Sequence, residues 1–136
     1  MPSDANIALQ ASVTKTATFN GAALILPGGT PRAGLVARVI YSAALVTSSS
    51  GTDTIIFSVD VCYDGVPTTW YSDFVAVPIT LTTTAQAGEL FIPFSISPTV
   101  VSNVITNPQI RLTATFSATS HGDTITYQGD IVPGRP

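Results

Sequence analysis

Charge is what this chain has least of. Charged residues make up 10% of its 136 residues, against roughly 25% in an average soluble protein. It holds one histidine, His121, one cysteine, Cys62, one lysine, Lys15, and one glutamate, Glu89. Each scarcity removes a class of chemistry. A zinc site needs several converging nitrogen and sulfur ligands, which one His and one Cys do not supply. A lone cysteine forms no intramolecular disulfide and fits synthesis in a reducing cytosol, or a virus particle assembled there. With no basic neighbour in sequence to lower its pKa, Cys62 reads as an inert thiol. Glycoside hydrolysis needs two carboxyl groups flanking one bond, yet Glu89 is read into a turn and no pair of aspartates stands out. A nucleophile would need His121 as its base, but that residue sits in the turn Ser120-His121-Gly122-Asp123, and no Gly-x-Ser-x-Gly elbow occurs. These gaps lead to the expectation of a protein that is not an enzyme, with no cofactor and no metal.

The thin supply of positive charge narrows the partners too. Lys15 and four arginines are scattered along a chain of net charge -3, which leaves no basic cluster to engage a phosphate backbone. Nucleic acid is not expected. No stretch approaches the ~20 apolar residues of a membrane span, and MPSDANIALQ has neither the basic start nor the apolar run of an export signal. Calcium would need regularly spaced oxygen ligands. Asp60, Asp64, Asp73, Asp123 and Asp130 show no such spacing, so Asp64 and Asp123 read as turn formers and Asp60 as an outward strand residue.

What the chain has is β-pattern. Hydrophobic residues reach 45%, and 13 serines with 20 threonines stand where exposed Lys and Glu usually do. In Thr54–Tyr71, Ile55, Phe57, Val59, Val61 and Tyr63 alternate with polar Ser58 and Asp60, the period of a strand with one buried face. Asp64-Gly65 then suits a two-residue turn, returning Val66 beside Tyr63. Residues 7 to 19 alternate in the same way, with Lys15 breaking the inner row. The run from 34 to 46 is apolar on both registers except at Arg38 and Ser42, so periodicity allows a covered strand or a buried helix. Its β-branched residues and all-β surroundings favour strand. Pro78 and Pro93 place their strands at edges or beside bulges. Leu90, Ile92, Phe94 and Ile96 form another inner row, as do Ile110, Leu112, Ala114, Phe116 and Ala118. Ile125 and Tyr127 face inward on the last strand, and Val100 to Ile105 is a short strand or one helical turn.

About nine short strands with no clear helix describe a single antiparallel β-sandwich, Greek key, of jelly-roll or immunoglobulin-like type, with a barrel as the alternative. Its expected core includes Val13, Phe19, Val39, Tyr41, Ile55, Phe57, Val59, Phe94, Leu112 and Phe116. Short arms are expected at 1–6 and 133–136. Tyr63, Trp70 and Tyr71 form an aromatic tip that suits either sugar binding or packing over the end of the core. With Arg135 in the C-terminal arm, they make up the candidate interaction surface.

The Thr-rich all-β character, together with the hairpin Tyr63-Asp64-Gly65-Val66-Pro67-Thr68-Thr69-Trp70, resembles small structural proteins of tailed bacteriophages, most closely head decoration (cement) proteins. The resemblance is one of style over the whole chain plus that one hairpin, and no functional residue carries over from it. It implies a virion protein on the capsid surface, made in the host cytoplasm, that binds the major capsid protein and stabilises the head. It also implies a homo-oligomer, with a trimer favoured, because proteins on icosahedral shells tend to occupy symmetry axes. A phage tail or adhesin-type module that binds host-surface carbohydrate through the aromatic tip is the alternative. A capsid-binding protein would rely on an extended surface and on its ends, residues 1 to 10 and 129 to 136.

Overall fold

The computed structural model describes residues 7–25, 34–45, 53–62, 69–82, 84, 86–96, 99–101, 104–106, 108–118 and 122–133. They form β1 (Ile7–Lys15), β2 (Phe19–Asn20), β3 (Leu24–Ile25), β4 (Leu35–Leu45), β5 (Thr54–Cys62) and β6 (Tyr71–Val75). After these come β7 (Ile79–Thr80), β8 (Gln86–Phe94), β9 (Thr99–Val101), β10 (Val104–Thr106), β11 (Gln109–Phe116) and β12 (Thr124–Pro133). One sheet runs β1-β12-β4-β8. The other runs β2-β11-β5-β6, with β3 also on β11 and β7 also on β5, while β9 and β10 pair as a separate ribbon. Every pairing among the described residues is antiparallel. The two main sheets pack as a sandwich, and no helix occurs among the described residues.

Period-2 alternation accounts for the core. On β5 and β11 the inward residues face each other in register, Val61 with Ile110, Val59 with Leu112, Phe57 with Ala114 and Ile55 with Phe116. All eight are buried. The opposite sheet supplies Leu35, Ala37, Val39, Ile92, Phe94, Ile125, Tyr127 and Ile131. Aromatic edges bridge the layers: Phe57 meets Tyr127 with ring centroids 4.9 Å apart, and Phe74 meets Phe94 at 6.1 Å. Gly129 is inward on β12, where a Cβ would lie 2.7 Å from Leu112 Cδ2, so its lack of a side chain makes room for a core leucine. Of the ten expected core residues, seven are buried; Val13 and Tyr41 are partly buried against the core, and Phe19 is half-buried.

Several elements differ from the sequence expectation for local reasons. The alternating run 7–19 is two strands in two sheets. The chain leaves the four-stranded sheet after Lys15 and joins the six-stranded one at Phe19, and Lys15 Nζ lies 3.9 Å from the centre of the Phe19 ring. A lysine is tolerated on the inner row because that row ends there, at a corner with an aromatic face to cap. Register shifts also turn Ala11 outward. The 34–46 run is a strand, but its second face is uncovered: Val36 and Arg38 are half-buried and Ile40 is exposed. Pro78 and Pro93 do mark edges, the first dividing β6 from β7 and the second lying near the end of β8. Tyr63 to Thr68, and with them the expected Asp64-Gly65 turn, lie outside the described residues; beyond them the chain returns antiparallel beside β5, with Val61 paired to Tyr71. Glu89 is in mid-strand on β8 instead of in a turn.

Tyr127 is 1% exposed, and its hydroxyl has no hydrogen-bond partner among the described residues. Burial among apolar neighbours disfavours the phenolate and pushes the Tyr127 pKa from 10.0 up to about 12. The unfolded chain therefore loses this proton first. The stability contribution is intact below pH 10 and is lost as pH rises from 10 towards 12. Across that window the parent should lose on the order of 2 kcal/mol that Tyr127→Phe retains. Urea titrations at pH 9 and pH 12 on both proteins check this; parallel losses in the two would contradict it.

Candidate functional site

The outer face of the six-stranded sheet holds a closed polar cluster. Outward residues of β5 and β11 fall opposite one another, Ser58 with Thr113, Asp60 with Arg111 and Cys62 with Gln109. A register shift between the Val59 and Val61 pairs lets β6 bring Ser72 to the same face. Asp60 is 2% exposed and accepts four bonds. Its Oδ1 takes Ser58 Oγ at 2.8 Å and Ser72 Oγ at 2.7 Å, and its Oδ2 takes Thr113 Oγ1 at 2.6 Å and Arg111 Nε at 3.2 Å. Thr113 Oγ1 also lies 3.3 Å from Asn20 Oδ1. The Arg111 guanidinium carbon sits 4.2 Å from the centre of the Trp70 ring. The buried carboxylate is thus neutralised by a cation that an aromatic ring covers. Asp60 points outward, as expected from sequence, and its neighbours bury it there.

This cluster is chemically quiet. The acid is saturated with donors, and one ring face of Trp70 is committed to Arg111. Tyr71, next in sequence, is 50% exposed. Trp70 and Tyr71 therefore adjoin at the start of β6, with one face of the Trp70 ring used internally. Tyr63, Arg135 and His121 lie outside the described residues. Among the described residues, no group of three His, Cys, Asp or Glu residues could hold a metal ion, and no helix is long and apolar enough to cross a membrane.

The outer face of the four-stranded sheet is different in kind. Cross-strand register sets Asp130, Arg38 and Phe91 in one row and Val132, Val36 and Pro93 in the next. Arg38 Nη2 is 3.0 Å from Asp130 Oδ2, and its Nε is 3.8 Å from Glu89 Oε2 without forming a hydrogen bond. Around this ladder, Phe91 is 55% and Ile40 38% exposed. Sequence reading missed both faces. The alternation of β4 and β8 showed which residues share a face but not which strands adjoin, so neither the grouping of Arg38 with Asp130 and Glu89 nor the apolar group around it was visible.

Ile7 pairs with Ile131 and Ala8 with Asp130, so the residues next to the expected arms are ladder strands, and Pro133, expected in the C-terminal arm, ends β12 opposite Leu35. Residues 1–6 and 134–136 lie outside the described residues. No family profile matches the chain, no curated protein aligns with it significantly, and no solved structure is significantly similar to its fold.

Proposed function

We propose that this chain is a non-catalytic structural protein of a tailed-phage virion, a decoration protein that binds and stabilises the head through the outer face of its four-stranded sheet. The observation that carries the reading is the exposed apolar group on that face. Phe91 and Ile40, flanked by Pro93 and half-buried Val36, surround ion pairs formed within the chain. Exposed apolar surface rimmed by polar groups is a feature of docking faces. A neutral, hydroxyl-rich exterior also suits a fixed assembly, where neighbours cover edges and patches. The phage assignment rests on the resemblance in sequence style. Because the near parts of the end segments are held in β1 and β12, a sheet face fits the role better than free arms alone.

The test mixes purified protein with capsids prepared without it. Saturable binding and greater resistance of the heads to heat are expected. Phe91→Asp should weaken binding by about tenfold or more and leave the protein's own stability within about 0.5 kcal/mol, because the residue is largely exposed. Absence of capsid binding, with a glycan-array signal lost in Trp70→Ala, would move the assignment to carbohydrate recognition.

A further inference from the structure

Among the described residues, four strand edges bound this sandwich, and three are blunted. The six-stranded sheet ends in two-residue β2 and β3 on one side and in β6 and β7, separated by Pro78, on the other. β1, at one end of the four-stranded sheet, is broken by two register shifts against β12. Short strands, prolines and bulges are the devices that keep an edge from pairing with another chain. β8 carries fewer of them, Pro93 near its end and one register shift against β4 at its start. It is nine residues long, it is the last strand of its sheet, and its register with β4 is unbroken from Leu35–Phe94 to Ser42–Ala87.

We infer that the β8 edge is a self-association site, pairing antiparallel with β8 of a second copy about Leu90. Pro93 sets the phase. Proline has no amide hydrogen, and the arrangement that wastes no bond to β4 turns its nitrogen to the free edge. Ala87, Glu89 and Phe91 share that phase, so their amide and carbonyl groups face outward along the edge. The side chains decide the occupant. Pairing about Leu90 sets Gly88 against the partner's Ile92 and Ala87 against the partner's Pro93, small against large at both ends. It also sets Glu89 beside the partner's Phe91. Pairing about Glu89 would put two carboxylates directly opposite each other, which is destabilising. The strand is therefore complementary in size to its own reverse, as a two-fold interface requires. Pro93 leaves one ladder bond unmade at each end. The copy number set this way is two, in place of the trimer expected from sequence, and the inference is independent of what the outer sheet face binds.

Sedimentation velocity over a concentration series is the first measurement, with a reversible monomer–dimer equilibrium expected. Glu89→Pro removes an outward amide hydrogen and leaves the β4 ladder intact, so self-association should weaken by about tenfold or more with little change in melting temperature. Leu90→Cys places two thiols directly opposite each other, within disulfide reach, and should give a covalent dimer on mild oxidation; Glu89→Cys should not. Cys62 is fully buried and does not compete. Preferential cross-linking of Glu89→Cys would overturn the pairing about Leu90. A parent that stays monomeric up to ~1 mM, with neither cysteine variant cross-linking, would overturn the site altogether. If Glu89→Pro does not fold, the two cysteine variants decide the matter.

Discussion

Asp60→Ala should destabilise the protein by about 3–5 kcal/mol, the range for removing one partner of a buried ion pair. The substitution leaves the half-buried guanidinium of Arg111 without its carboxylate. It also takes the acceptor from Ser58, Ser72 and Thr113 at once. Burial of the acid makes this a desolvation effect, unlike a surface pair that water would replace at little cost. A marginally stable domain has about 5–15 kcal/mol in total, so the variant should unfold at a much lower urea concentration. A double-mutant cycle separates the pair from the packing. Arg111→Ala alone removes the cation and its cover by Trp70, and the two changes together should cost less than the sum of the single effects, because each leaves the other's partner stranded. A loss under 1 kcal/mol in Asp60→Ala, or strict additivity, would mean that the cluster is solvated and loosely held.

That cluster also shows where sequence reading stops. The alternation from Ile55 to Val61 says which side Asp60 occupies, because side-chain direction along a strand has a period of two. It says nothing about what lies across the strand. Arg111 is 51 positions away in sequence, and its approach depends on β11 pairing with β5 in one register. Another partner, Ser72, arrives through a register shift in β6 that no local pattern announces. The inner rows were legible for the opposite reason. Ile110, Leu112, Ala114 and Phe116 need only to be apolar and alternate, and any antiparallel neighbour with the same pattern completes the layer. Lys15 lies between these cases: as an interruption of an inner row it was visible, but as the corner where the chain changes sheets it was not. The exposed group around Phe91 was hidden by ambiguity. β4 is apolar on both faces, and only the sheet order reveals which face lacks a second layer.

Phe57→Ala is expected to have an effect as large as that of Asp60→Ala, through packing instead of charge. Phe57 is fully buried on β5 at the centre of the six-stranded sheet and reaches across to Tyr127 of the other layer. Truncation removes the apolar area that the ring hides and the edge-to-face contact, and it leaves a void between two sheets whose backbones are fixed by ladders on both sides. Strands in mid-sheet move little to close such a void, so the loss should fall at about 3–5 kcal/mol, the range for large-to-small aromatic changes in cores. Phe57→Leu keeps most of the volume, so it should recover more than half of that loss, the remainder reflecting the ring contact with Tyr127. Urea titration of the three proteins measures both steps, and an unchanged slope would show that the denatured state is not what moved. If Phe57→Ala lost no more than about 1 kcal/mol, as surface substitutions do, the two sheets would not be sharing one packed core at this position.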